Sequence, residues 1–425
     1  MSMAGSFLGG AKNRLLPASV PFSFFLTAAG FQILAWVALL AGAASLPGYS
    51  GGTGPVLAAI HLLTLGVLTL TAMGASYQLL PVVTRQPLAR VWPARLSFWL
   101  VAPGVVVLAT GMTATNQMGL STGAGLVTGG LLVFALLTGL NLLRAGSLPV
   151  VAAHGWGALI ALLGLLGVGL ALIANIKLGV LVNPDELALV HLVLAIFGFM
   201  GLLVLGLSLV LIPMFVMSRS VAMPVGWAQL ALVVVALVLF VAGILADAPG
   251  LSALAFIPGA GAGAAYFWLM RAALRNSMRK RLGLAFVLIR LSWALLGLGL
   301  LIGFAVWQEW PVPNGPALFG FVILAGWLLT FLTGVLQRIM PFLASMHASG
   351  RAGLPLLLSD LTAEGPLRVH ATCHLSALVL VSFGIVTELT ILVQLGAVTG
   401  MAGAIAFAVF AINVVVTMNA PPDDA

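Results

Sequence analysis

Charge is what this 425-residue chain has least of. Asp, Glu, Lys and Arg together make up 6% of it, against roughly 25% in a soluble domain. So few charges cannot cover a water-soluble globule, and that class is excluded. The single cysteine, Cys373, excludes a disulfide framework and an all-cysteine zinc or iron–sulfur site within one chain. No phosphate-cradling loop or nucleotide fingerprint is present, so an ATP-driven pump would need its motor from another chain. Polar stretches are equally scarce. The longest is 345–367, where Leu354-Pro355-Leu356-Leu357-Leu358 reads as a short interfacial helix. The start of the chain, Met1 to Leu16, holds two basic residues and no small-residue cleavage site before the first apolar run, and reads as a retained start rather than a removed signal.

What is there is apolar: 62% hydrophobic residues and a mean hydropathy of +1.21. A chain of this kind belongs in a bilayer. Backbone polar groups in lipid must be satisfied within the segment, so each crossing is a helix of about 20 apolar residues. The pattern predicts an all-α, polytopic membrane protein with twelve spans, at 20–43, 55–83, 95–112, 119–143, 153–174, 187–217, 224–246, 250–271, 283–307, 316–342, 368–391 and 395–418. Residues 1–425 form one integral membrane domain.

Basic residues resist translocation and stay on the cytoplasmic side. With the N-terminus inside, all of the 17 Lys and Arg except Lys177 and Arg290 fall in inner loops or at inner helix ends. Asp185, Glu186, Asp247, Glu309 and Glu388 fall outside. Both termini are therefore expected in the cytoplasm. The formal net charge of +8 is explained by a basic inner face against anionic lipid, with no nucleic acid as partner.

A pattern recurs inside the apolar runs. Gly74 stands seven residues before Pro81, Gly206 seven before Pro213 and Gly334 seven before Pro341. These glycines are 132 and 128 residues apart, at the ends of spans two, six and ten. A four-helix unit used three times accounts for this, with units at 17–148, 149–281 and 282–420. Glycine would admit close helix contact and proline would end the span. Spans two, six and ten should then line the inside of the bundle.

Polar groups at membrane depth are costly and are the functional candidates. His61 lies about 9 Å into the second span, and His191 enters the sixth from the same side, 130 residues later. Each could cap a helix end near the headgroups. Their pairing by position favours a ligand role, since neutral imidazole binds heme iron and copper. The eleventh span opens Arg368-Val369-His370-Ala371-Thr372-Cys373-His374. His370 and His374 share a helix face, with Cys373 about 100° off His374. The three could hold copper or zinc, or one edge of a heme. The alternative is a solvated helix end beside Arg368. His154 could join them only if packing brings it near, and His347 reads as exposed on a loop.

With these residues in view, the chain resembles the catalytic subunit of heme–copper oxidases: twelve helices in three four-helix arcs, with histidines entering spans two and six. Its texture is closer to the NnrS-type relatives. His61-Leu-Leu-Thr-Leu-Gly66, Tyr77-Gln78-Leu79-Leu80-Pro81 and Arg85-Gln86-Pro87-Leu88 resemble their second helix, and Gly206 to Pro213 their Gly-to-Pro ending. The resemblance implies that His61 matches a heme ligand and His191 a copper ligand. It also shows departures. Ala195 stands where the oxidases carry a tyrosine, span seven has no histidine pair, and Phe321 takes the place corresponding to His61 in span ten. These imply a heme- or copper-binding protein with a redox, metal or nitric-oxide-related role, and not an oxygen reductase. The alternative is a cofactor-free small-solute transporter or membrane scaffold. The first partner in either case is the lipid bilayer.

Overall fold

The computed structural model describes residues 15–88, 90–146, 148–219, 221–279, 281–352 and 357–420. Among them every regular element is helical. Twelve helices are long and apolar enough to cross a membrane: α1 (Ser19–Ala41), α2 (Pro55–Val82), α3 (Trp92–Ala114), α4 (Gln117–Leu143), α5 (Pro149–Leu178), α6 (Pro184–Val216), α7 (Met223–Leu245), α8 (Pro249–Arg275), α9 (Gly283–Trp307), α10 (Gly315–Ala348), α11 (Glu364–Thr387) and α12 (Thr390–Asn419). Each coincides with one of the twelve expected spans. The chain is an integral membrane protein, and lipid is its surroundings. The expected interfacial helix at 354–358 falls mostly outside the described residues, as does most of the chain before Leu16.

Burial separates three helices from the rest. In α2 the buried share of the apolar window is 67%, and in α6 and α10 it is 83%; no other helix exceeds 50%. A helix apolar on every side is either core or lipid-facing, and these three are the core ones. Each also contains the same irregularity. Eight residues adopt π-helical geometry at Leu62–Thr69, Leu194–Gly201 and Val322–Leu329, at separations of 132 and 128 residues, the same as the glycines.

The helices cluster into two compact units, one holding Ala75–Val101 and Leu120–Leu282, the other Pro17–Gly74, Ala102–Gly119 and Gly283–Ala425. In the first, α6 packs against α5 through two glycines. A Cβ on Gly198 would lie 2.7 Å from Ala161 Cβ, and one on Gly206 would lie 2.5 Å from His154 Cβ. The rings of Tyr77, Phe134 and Phe199 form a file with centroid spacings of 5.5 and 6.4 Å. In the second unit, Gly66 and Gly74 admit Phe31 and Phe24 of α1, while Gly326 and Gly334 admit Leu295, Ala285 and Ile289 of α9. Packing there also joins α1 to α12, where Gly400 makes room for the Trp36 ring.

The prolines do not end their helices as expected. Pro81, Pro213 and Pro341 all lie inside. The first two sit in the last turn, but after Pro341 the helix continues to Ala352. Proline lacks an N–H and cannot donate to the carbonyl four residues back; one lost bond in a long helix held by packing is tolerated. His347 is consequently on a helix and half-buried rather than exposed on a loop.

Candidate functional site

The candidate ligands fall in the two units and take up different surroundings. His61, in the second unit, is partly buried, and its Nδ1 lies 3.0 Å from the Leu57 carbonyl one turn back. A carbonyl can only accept, so Nδ1 carries the proton and Nε2 the lone pair. This is the tautomer in which histidine ligates metals through Nε2, with a backbone carbonyl orienting the ring.

His191, in the first unit, is seated against α5. A Cβ on Gly169 would stand 2.9 Å from its Cε1 and 3.3 Å from its Nδ1. The π segments also set the register between the two histidines. His61 immediately precedes the first segment, and the residues so placed before the second and third are Val193 and Phe321. His191 is two residues earlier than Val193, about 200° round the helix. The correspondence read from a 130-residue spacing is therefore off by two positions. The equivalence of Phe321 and His61 holds in this register.

His370 and His374 are brought together, but not as a solvated helix end. Both are buried, at 0% and 2% exposure, with rings stacked at 5.6 Å and 17°. Arg368 is the exposed one, paired with Glu364 across one turn. His370 faces inward because α12 approaches through Gly403, whose carbonyl accepts from His370 Nδ1–H at 3.1 Å. His374 Nε2 lies 2.7 Å from the Thr330 hydroxyl. That hydroxyl directs its own proton to the Ala325 carbonyl at 2.9 Å. Thr330 therefore accepts, and His374 carries its proton on Nε2. The two stacked rings hold opposite tautomers, with lone pairs on Nε2 of His370 and Nδ1 of His374. Among buried polar atoms, His370 Nε2 has no hydrogen-bond partner. Cys373 is half-buried, its Cβ beside Gly403.

His154 belongs to the first unit. Its Nδ1–H donates to the Val150 carbonyl at 2.7 Å, and Nε2 is 2.8 Å from the amide end of Gln229. A neutral ring cannot donate from both nitrogens, so the amide presents its NH2. That orientation also gives the Gln229 NH2 the partner it otherwise lacks.

Among the described residues no three of His, Cys, Asp and Glu come together as a metal-binding group. Imidazoles spread singly and in one pair do not supply the donor set of a multi-histidine copper centre. One imidazole with a carbonyl-held Nδ1–H does suit a heme iron. Sequence reasoning missed Thr330 and Gly403, whose roles depend on which helices adjoin α11.

No family model matches the sequence, and no curated protein matches it. Among solved structures the chain is similar to one in a cryo-electron microscopy structure of a heme–copper terminal oxidase dimer, with a TM-score of 0.56 and 16% identity over 96% of this chain and 85% of that one. At such low identity the likeness is one of fold.

Proposed function

We propose that this is a heme-binding membrane protein on the heme–copper oxidase fold, with His61 as axial ligand, serving a redox or nitric-oxide-related role in a bacterial inner membrane with both termini cytoplasmic. The observation that carries the reading is the fixed tautomer of His61, set in a fold shared with a heme–copper terminal oxidase. The NnrS-like texture of the second helix supports the nitric-oxide side of it. Heme iron held by a single imidazole supplies one-electron chemistry and binding of diatomic gases. The chain's part is to orient the ligand: the Leu57 carbonyl holds the ring. His191 serves as a packing residue on α5 in this reading, not as the second ligand. Oxygen reduction is not proposed, because the copper donor set does not fit.

One observation favours a second reading, a cofactor-free scaffold or small-solute protein. The buried core of the second unit runs through Trp36, Val56, Ala59, Ala317, Val381 and Val393, and Ile60 and Phe321 pack onto it. Side chains thus fill the interior close to His61. Absorption spectra of the purified protein before and after dithionite, with iron and copper analysis on the same sample, separate the two. The heme reading expects a red protein whose Soret band shifts on reduction, with the colour lost in His61→Ala and kept in His374→Ala. A colourless preparation without stoichiometric iron, from cells supplied with it, overturns that reading and leaves the second.

A further inference from the structure

Arginines gather at one corner of the first unit, where α6 and α8 end and α7 begins. Trp268, Arg271 and Arg275 recur at three and four residues on α8, so they share a face. All three are exposed. Past the end of α8, Met278 N–H donates to the carbonyl of Val216, the last residue of α6, at 3.2 Å. The Ser277 hydroxyl lies 3.2 Å from that same carbonyl and accepts from Arg279 N–H, also at 3.2 Å. These bonds pin the α8–α9 connection to the α6–α7 connection. Arg219, exposed and three residues past Val216, is then no more than about 10 Å along the chain from the pinned carbonyl. Arg279 is half-buried beside it.

No opposite charge stands at this corner. The acidic residues of the unit are Asp185, Glu186 and Asp247. The first two open α6 and the third follows the end of α7, so each lies a helix length away, roughly 35 Å or more. Among the described residues none of these four arginines has an ion-pair partner. Guanidinium groups held together without a counter-charge repel one another, and an anion shared between them removes that cost.

The kind of anion follows from what adjoins the arginines. Helices α7 and α8 are antiparallel neighbours, and a Cβ on Gly261 would meet Leu232 at 3.4 Å. From that level toward the arginines, Trp268 is seven residues on along α8, about 10 Å, and Trp227 is five residues back along α7, about 8 Å. The two indoles thus stand at nearly one level, at 53% and 44% exposure. Arg271 is three residues beyond Trp268, about 4.5 Å further along the helix. Exposed tryptophan just short of a helix end marks the boundary between acyl chains and headgroups. A phospholipid uses such a neighbour, and free phosphate has no need of one.

We propose that this corner binds one anionic phospholipid, its phosphate held by Arg219, Arg271, Arg275 and Arg279 and its glycerol and upper acyl chains lying against Trp227 and Trp268. An uncompensated positive cluster favours a headgroup of net negative charge over a zwitterionic one. This binding differs from the general attraction of a basic face to anionic lipid in being local and saturable. It is independent of any cofactor at His61.

Native mass spectrometry of the delipidated protein, titrated with phosphatidylglycerol or phosphatidylcholine, tests it. Arg85, Arg90 and Arg144 supply the control, being exposed in the same unit at the ends of α2 and α4 and before α3. Wild type is expected to bind a first phosphatidylglycerol far more tightly than further copies, and more tightly than phosphatidylcholine. Each arginine near a membrane surface contributes about fivefold. The Arg271→Gln, Arg275→Gln, Arg279→Gln triple variant should therefore weaken the first binding roughly a hundredfold, while Arg85→Gln, Arg90→Gln, Arg144→Gln leaves it nearly unchanged. Equal weakening by the two triples shows diffuse attraction and overturns the proposal. Trp268→Ala keeps every charge that sets topology and should weaken the first binding several-fold; unchanged affinity there overturns the placement of the lipid. In wild type itself, lack of a saturable first lipid, or its displacement by excess inorganic phosphate, overturns the assignment without any substitution.

Discussion

Gly206 offers a sharp test of the packing, because theory pulls in two directions there. Glycine inside a helix costs about 0.5–1 kcal/mol relative to alanine, so Gly→Ala should stabilise wherever there is room. At Gly125 of α4 an added methyl would meet nothing within 4 Å, and Gly125→Ala is expected to be neutral or slightly stabilising. At Gly206 the methyl would sit 2.5 Å from His154 Cβ and 3.0 Å from Cγ, whereas carbon atoms rest about 3.5–4.0 Å apart. A Cβ cannot rotate away, so α5 and α6 must separate, at an overpacking cost of about 1–3 kcal/mol. Separation also strains the His154–Gln229 bond, 2.8 Å long. The helix-propensity gain is common to both, so Gly206→Ala should be destabilised relative to Gly125→Ala by about the overpacking cost, 1–3 kcal/mol. Thermal unfolding in detergent, followed as the monodisperse fraction on size exclusion, measures the ordering. Equal midpoints, or a more stable Gly206→Ala, would refute the contact between α5 and α6 at this level.

Thr330→Val should cost about 1–3 kcal/mol by leaving His374 Nε2–H without an acceptor, and Thr330→Ser should restore most of it; equal stability of Thr330→Val and wild type in the same assay counts against the bond. Tyr49, in the α1–α2 connection, donates to the Gly52 carbonyl at 2.8 Å, and burial pushes its phenol up to about 12. A raised folded value means that its stabilising contribution is complete below the unfolded value near 10 and is lost as pH rises from there through about 12. Alkaline unfolding followed by phenolate absorbance should show that loss in wild type and not in Tyr49→Phe.

The twelve helices were legible because lipid permits one way to satisfy a backbone, and an unbroken apolar run of sufficient length announces it. Gly74, Gly206 and Gly334 were legible for a related reason: only glycine admits Phe24, His154 or Ile289 so closely. The surroundings of His370 were not. Arg368 two residues earlier suggests solvent, but what buries His370 is Gly403, remote in sequence and adjacent only once α11 and α12 pair. The continuation past Pro341 was hidden as well, since proline is read locally as a stop while tertiary packing sustains the helix. The spacing between His61 and His191 differs by two residues from the spacing between the π segments, which only the backbone reveals.

Those irregularities set which way the paired glycines face. Eight residues of an ordinary helix turn through about 800°, leaving Gly66 and Gly74 some 80° apart. A π turn accommodates an extra residue and takes out roughly 100°, so both glycines face α1, as Gly198 and Gly206 face α5 and Gly326 and Gly334 face α9. The feature amounts to a one-residue insertion carried in the same place by three helices. Deleting a single residue from Leu62–Thr69 would undo that alignment in one helix alone, swinging Gly74 away from Phe24 while its two counterparts kept theirs.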